Sequence, residues 1–387
     1  MNSGLRILHD AVSRVREFIA GPPTMVDSPP GELLLDSGII QQSGECSLAN
    51  TLESALHVHE EPEIRYQWNE ARYFRLKRAL LVGDNGQIFL PDGRFFLGCL
   101  HPQQHLVHRM KIRRPISLGA RHIKGPVFHL TGRNHENRGH FLLQHLPRLL
   151  AARELLESIG DYRILVAPGH ARWQKALLKT MGFDPERVIE GSRGTMVVDD
   201  LIHVPLLYGS NALSSPDLCR AIRDQAARAC PETTTGRPLF ISRADAPDKK
   251  LENEAEVIAA AEKVFGEMEV FVFKGKTLAD QIRIYRNAPL IMGPIGQGIC
   301  NILFAEGRPL ITLVPGEEGK HTYTNSHSTH LALVCGNPAV TLYNGVASAS
   351  RGNWSFPVDR FSAEIDRLVA HPLMKPFDRR PERQSVG

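Results

Sequence analysis

The sequence predicts an α/β protein built in two halves, and three observations carry that expectation. The chain has 387 residues of ordinary globular composition, 42% hydrophobic and 23% charged, which is long enough for two domains that each bury a core. From about residue 139 onward, short apolar runs alternate with segments of helical period, the pattern of parallel strands joined by helical crossovers. A glycine-rich loop, Gly293-Pro294-Ile295-Gly296-Gln297-Gly298, directly follows one of the later strand candidates and opens a helix.

Taken in order, the first element is a helix over residues 5–19. Leu5, Leu8, Val12, Val15 and Ile19 share one face, with Arg6, Arg14 and Arg16 outside it. Such a helix packs on the protein body or serves as an anchor to a partner or a membrane surface. Gly21, Pro22, Pro23, Pro29, Pro30 and Gly31 then mark a linker. Residues 79–82, 87–90 and 94–97 read as strands of a small meander, because Asn85-Gly86 and Asp92-Gly93 between them supply the positive φ of tight turns. Helical patterns follow over 139–156 and 171–181, with strand candidates at 163–167 and 201–207 and a further helix over 216–229. Pro231 to Gly236 is polar and Thr-rich, the expected interdomain linker. Beyond it the strands are 239–242, 268–273, 290–292 and 310–314, and the helices 253–265, 278–286 and 299–304. The expected divisions are therefore 1–120 (helix, linker and meander), 121–232 and 233–387. Ligands of the last sheet belong at the carboxyl ends of its strands.

Several function classes fall away. A formal charge of +4 lacks the basic stripe of a nucleic-acid binder. The six cysteines, at 46, 99, 219, 230, 300 and 335, form no C-x-x-C pair or zinc-finger spacing, so reduced thiols are expected rather than a disulfide framework or structural zinc. No membrane-spanning run and no signal-peptide core is present, and the expected location is cytoplasmic.

Four constellations bear on chemistry. The glycine loop lets backbone approach a ligand and sets helix N-terminal amides toward an anion, though its G-x-x-G-x-G spacing also suits a plain strand-to-helix turn. Ser242-Arg243 ends the first strand of the same sheet, with Lys249 and Lys250 close behind, so guanidinium, ammonium and loop amides can converge on a diphosphate. Asn253 and Glu254 read as the N-cap and first-turn acid of the next helix. In the first half, Asn137 is a candidate N-cap and His140 sits in the first helical turn. His145, five residues on, falls roughly 140° away in α geometry, which makes a poor metal pair. His140 is either a general base or a capping histidine. His321, His327 and His330 invite a metal reading, but their only acidic neighbours are Glu317 and Glu318 in a glycine-flanked turn and no cysteine stands among them, so the patch reads as a cleft-lining loop.

These residues resemble glycosyltransferase family 61. The family block N-Y-x-H-W-L-x-E-x-L-P-R-L is similar to Asn137 through Leu149, keeping Asn137, His140, Leu142, Leu146, Pro147, Arg148 and Leu149. Its S-R-R-D-A with a later N-E is matched by Ser242, Arg243, Asp245, Ala246, Asn253 and Glu254. Its G-P-H-G-A-G-L-x-N-x-x-F is similar to Gly293 through Phe304, with Gln281 ahead of it. Here Ile295 replaces the family histidine, Gln297 the alanine, Arg138 the tyrosine, Phe141 the tryptophan and Gln144 the acid.

The resemblance implies a GT-B architecture, two Rossmann-like domains facing a cleft. In it, residues 121–232 with the preceding 1–120 take the acceptor, and 233–387 take a nucleotide-sugar. It implies inverting transfer without a metal or other cofactor, from a UDP-sugar, to a glycan or lipid-linked glycan of capsule or lipopolysaccharide type at the inner membrane face. The donor residues it implies are Arg243, Lys249, Lys250, Glu254, Gly293, Gly296, Gln297, Gly298 and Asn301. His140 becomes the base or a residue that orients the acceptor, and Asn137, His145, Arg148 and His321 line the acceptor side. The rival expectation is a non-catalytic nucleotide- or glycan-binding subunit of an assembly complex.

Overall fold

The structure, a computed structural model, describes residues 25–49, 63–97, 115, 119–207, 215–231, 236–316, 323–347 and 352–379. The helix expected over 5–19, residues 232–235 of the expected linker, and His321 lie outside them. The chain divides into two compact units, 1–42 with 69–178 and 183–207, and 43–68 with 179–182 and 208–387. The division falls at 207/208 rather than at 232/233. The helix over 216–229 goes with the second unit, where its Arg223 donates to the Cys335 carbonyl (3.3 Å) and pairs with Glu306 (3.1 Å). Residues 43–68, expected with the first half, also group with the second.

The N-terminal strands are β1 (Met25–Val26), β2 (Leu34–Gln41) and an antiparallel pair, β3 (Gly44–Ala49) and β4 (Glu63–Trp68). The meander is β5 (Ala71–Val82), β6 (Gln87–Phe89) and β7 (Phe95–Phe96). Its first turn closes through a hydrogen bond from Gly86 N to Gly83 O (3.1 Å), with both glycines at positive φ. The rest of the first sheet is β8 (Arg121–His129), β9 (Arg163–Val166), β10 (Val188–Glu190) and β11 (Thr195–His203), in the order β1-β7-β6-β5-β11-β8-β9-β10 with β2 also on β5. Strands β11, β8, β9 and β10 run parallel, whereas β11 meets β5 antiparallel. The meander and the parallel strands are thus one sheet.

Its helices are α1 (Arg138–His140), α2 (Leu146–Ala151), α3 (Arg153–Ile159) and α4 (Ala171–Thr180). Between α1 and α2, Phe141–His145 forms a π turn in which the Leu146 amide reaches the Phe141 carbonyl. Pro147 accounts for it, since proline has no N–H to give and its ring presses on the carbonyl four residues back.

The second unit carries α5 (Pro216–Ala229), β12 (Leu239–Ile241), α6 (Glu254–Phe265), β13 (Glu269–Phe271), α7 (Leu278–Asn287) and β14 (Ile291–Pro294). A 3-10 helix over Gln297–Phe304, β15 (Leu310–Pro315), α8 (Tyr323–Val334), β16 (Ala339–Ala347), β17 (Trp354–Ser355) and α9 (Val358–Val369) follow. Strand order is β13-β12-β14-β15-β16-β17, parallel from β13 to β16. Phe240, Met292, Ile311 and Val340 of the sheet pack with Val257 and Phe265 of α6, Phe361 and Ile365 of α9, and Trp354 in one buried core. The start of α7 is fixed by a capping box, in which Asp280 N donates to Thr277 Oγ1 (3.1 Å) and Thr277 N to Asp280 Oδ2 (2.9 Å). Because the chain goes from β12 to one side for β13 and to the other for β14, the order reverses at β12. Such a reversal opens a ligand crevice at the carboxyl ends of the flanking strands.

Candidate functional site

Ser242 and Arg243 leave β12 at that reversal, and the glycine loop leaves β14 beside them. Ser242 Oγ donates to Glu254 Oε1 (2.5 Å) and Arg243 N to Glu254 Oε2 (3.3 Å), so the first residue of α6 clamps the strand end. The Arg243 side chain folds back on its own loop: Nε donates to the Lys249 carbonyl (3.1 Å) and Nη2 to the Asp248 carbonyl (3.1 Å). Its third nitrogen, Nη1, lies against Gly296, where a Cβ would overlap it. Burial pushes the guanidinium down from its ordinary value, while Asp248 and Asp245 oppose the shift. It remains a cation, and partial removal from water strengthens its pull on an anion.

The three glycines serve close packing. A Cβ on Gly293 would stand 2.6 Å from the Ile241 carbonyl, and one on Gly298 would stand 2.5 Å from the Phe273 ring. Gly296 has φ 167°, an extended backbone open to any residue, so its lack of a side chain makes room for Arg243 alone. Hydrogen bonds from Ile295 N to Leu313 O (2.9 Å) and from Ile299 N to Gly296 O (3.1 Å) hold the loop. Buried Tyr285 donates to the Gly298 carbonyl (2.7 Å) from α7. The amides of Gln297 and Gly298 open the 3-10 helix and so have no carbonyl in the preceding turn.

Further cations stand around the same strand ends. Lys250 Nζ donates to the Ala244 carbonyl (2.8 Å), and Lys249 is exposed with φ 54°. Lys274 and Lys276 sit in the loop after β13, which Asp245 fixes by accepting from Lys274 N (2.9 Å). These two lysines escape a sequence reading tied to the glycine loop; the available signal was a Lys-Gly-Lys turn at the end of a neighbouring strand. Glu254 and Asn301, expected at the ligand, are supports. Glu254 is occupied by the clamp, and Asn301 Nδ2 donates to Gln281 Oε1 (3.2 Å). Asn253 precedes α6, but its side chain makes no cap bond and instead exchanges two hydrogen bonds with the backbone of Phe356 (2.8 and 3.0 Å).

In the first unit, Asn137 caps the helix as expected, its Oδ1 accepting from His140 N (3.1 Å). His140 is half-buried and its Nδ1 lies 3.0 Å from Gln144 Oε1. The π turn over Phe141–His145 breaks the α-helical spacing expected for His145, whose ring lies 5.7 Å from that of Phe141. His145 is fully buried, and so is Arg148 at 1% exposure. Neither side chain reaches the surface of the first unit.

Arg148 donates Nε to the Val204 carbonyl (2.5 Å), Nη1 to the Thr131 carbonyl and His145 Nδ1 (3.1 and 3.2 Å), and Nη2 to the His129 carbonyl and His203 Nδ1 (2.8 and 3.4 Å). All five N–H groups are engaged, on three carbonyls and two imidazoles. The pattern fixes protons: His145 accepts at Nδ1 and donates Nε2–H to the Arg133 carbonyl (3.1 Å). His129 donates Nδ1–H to His203 Nδ1 (3.1 Å) and accepts at Nε2 from Thr131 Oγ1 (2.6 Å). His129, His203 and Thr131 give no sequence signal, since they come together only through pairing of β8 with β11.

Burial first, then the His203 and Arg148 charges, push His129 well below the ordinary histidine range; burial and Arg148 do the same to His145. The unfolded chain therefore binds protons, from about pH 6.5 downward, that the folded chain refuses. Stability is complete above that pH and falls as pH drops through the window toward the depressed folded values. Each histidine contributes up to about 1.4 kcal/mol per pH unit. Urea midpoints at pH 7.5 and 5.5 should differ accordingly, and equal midpoints would show that the buried rings protonate without cost.

Near the carboxyl ends of β8 and β9, Trp173 packs edge-on against Phe141 (5.1 Å between centroids), with Arg138 over its ring (5.9 Å). His135 lies beside His170 (5.6 Å). Of the C-terminal patch, His327 and His330 lie on α8. Among the described residues no three His, Cys, Asp or Glu side chains gather as a metal site, and Cys46, Cys219, Cys230, Cys300 and Cys335 form no disulfide. No described helix is long and apolar enough to cross a membrane.

No curated protein matches the chain. The model of the family described as Glycosyltransferase 61 matches residues 138–311, a span that begins just before His140 and contains Arg148, the Glu254 clamp, Arg243 and the glycine loop, and this match supports a glycosyltransferase of family 61.

Proposed function

We propose that the protein is an inverting, metal-independent transferase that moves a sugar from a nucleotide-sugar, a UDP-sugar in the first instance, to a hydroxyl of a cell-surface glycan precursor. The observation that carries this reading is the placement of Arg243 and the amides of Gln297 and Gly298 at the β12/β14 reversal. A departing nucleoside diphosphate accumulates negative charge, and preorganised cations and amides stabilise it without rearranging during reaction. Two edges of the guanidinium are tied to backbone carbonyls, so its remaining nitrogen is held toward the glycine loop rather than left to search for it. Lys250 and Lys274 add charge at the same strand ends, and Gln297 supplies an amide side chain where Ile295 offers no polar group. In this reading the second unit holds the donor and the first the acceptor, the division of labour of a GT-B enzyme, with capsule or lipopolysaccharide precursors as acceptors.

On the acceptor side, His140 is the proposed base. Inversion requires a group that takes the hydroxyl proton as oxygen attacks the anomeric carbon, and His140 is the half-buried histidine at a helix start in the matched span. Calorimetric titration with UDP, GDP, CDP and CMP tests the donor half, and absence of binding at millimolar nucleotide would remove it. His140→Ala should leave nucleotide affinity unchanged and lower transfer by on the order of 100-fold or more; retained turnover would refute the base.

One observation favours a second reading, a non-catalytic nucleotide- or glycan-binding subunit. Ile295 stands where the resembled family has histidine. Nucleotide binding with neither sugar transfer nor donor hydrolysis would select it.

A further inference from the structure

We propose that Gln144 is a positioning residue for His140, its amide oxygen holding the imidazole with the proton on Nδ1 so that Nε2 is the nitrogen that receives the acceptor proton. The proposal rests on the assignment of His140 as base. The 3.0 Å contact between His140 Nδ1 and Gln144 Oε1 is the central observation. An oxygen can only accept, so the bond requires Nδ1–H, and a neutral imidazole with Nδ1–H carries its lone pair on Nε2.

The surroundings hold this pair in register. Asn137 Oδ1 accepts from the His140 amide and fixes the backbone end. Gln144 is 8% exposed, so water competes weakly for its oxygen. It belongs to the π turn set by Pro147, a local widening of the helix that recurs at functional sites. The neighbouring His145 cannot take over, because its two nitrogens are engaged by Arg148 and the Arg133 carbonyl.

In the step this serves, the acceptor hydroxyl proton passes to His140 Nε2 while the oxygen electron pair forms the new bond to the anomeric carbon. The bond from that carbon to the diphosphate breaks, its pair leaving on the phosphate. The resulting imidazolium keeps Nδ1–H on Gln144 throughout, so the ring need not rotate.

The test uses the full chain labelled with nitrogen-15 in its histidine rings, with the His140 signals found by difference from His140→Asn. The expected wild-type spectrum at pH 8 has a protonated Nδ1 and a bare Nε2. Gln144→Leu should give mixed tautomers and lower kcat by on the order of tenfold or more at unchanged donor KM, and Gln144→Glu, which also accepts at this position, should restore the single tautomer. A wild-type proton on Nε2, or a tautomer indifferent to Gln144→Leu, would overturn the proposal. Because the wild-type spectrum needs no turnover, failure of the positioning role stays separate from failure of the transferase reading, which His140→Ala decides.

Discussion

Arg243→Ala should weaken binding of UDP by about 10- to 100-fold while moving the urea midpoint little. The first number follows from losing a charge-assisted bond to phosphate, roughly 1.5–3 kcal/mol. The second follows from what the side chain holds within the protein: hydrogen bonds to the carbonyls of Lys249 and Asp248 and a 4.0 Å ion pair with the Asp248 carboxylate, all in an exposed loop, where water replaces a lost donor. Gly296→Ala is the more telling partner. The backbone at 296 is extended and accepts alanine without strain, and the one close neighbour of the new methyl group is Arg243, Nη1 foremost.

Gly296→Ala should therefore weaken UDP about as much as Arg243→Ala, through displacement of the guanidinium. Added to Arg243→Ala it should cost almost nothing, because the obstruction is already gone. This non-additivity is the signature of one shared cause. Full additivity would place the two residues in separate contacts with the nucleotide, and wild-type affinity in Gly296→Ala would remove Arg243 from the phosphate altogether.

The glycine loop also shows how far sequence carries. Its position between a strand and a helix was legible, because an apolar run and a turn signal identify themselves locally. The reason for each glycine was not, because Ile241, Phe273 and Arg243 are distant in sequence and become neighbours only when β12, β13 and β14 pair. The same limit explains the strands. In the second unit β12, β14 and β15 are short, apolar and buried along nearly their whole length, so they stand out in composition. Strand β8 opens with exposed Arg121, His122 and Lys124 and bends at Gly125, which has φ 74°, and no alternation marks it. Helix α1 with its π turn was legible as a helix from its spacing, but the extra residue in the turn was not. Only the clash between Pro147 and the preceding turn predicts it.

The charge at Arg148 is the clearest case of a motif residue whose type is legible and whose role is not. An arginine in a family block suggests a substrate contact, yet the five N–H groups of Arg148 are used on three carbonyls and two imidazoles inside the first unit. Those carbonyls belong to His129, Thr131 and Val204, at and just beyond the ends of β8 and β11. Thr131 and Val204 lie beyond the strands, and His129 is the last residue of β8, so their carbonyls need a donor outside the ladder. The guanidinium thus closes two strand ends at once and orders the loop whose Arg133 carbonyl anchors His145.

Arg148→Met keeps the length and removes the donors, and it should lower unfolding free energy by about 3–5 kcal/mol, the cost of stripping a buried polar network of its central partner. Arg148→Lys should recover only part of this, because three donors on a tetrahedral ammonium cannot span five acceptors arrayed around a planar fork. UDP affinity, which the proposed function assigns to the second unit, should be unchanged in both where the protein remains folded. Urea unfolding with parallel calorimetry checks the pair of statements. A variant of native stability with a raised acceptor KM would return Arg148 to the substrate, and its burial would then have to open during turnover.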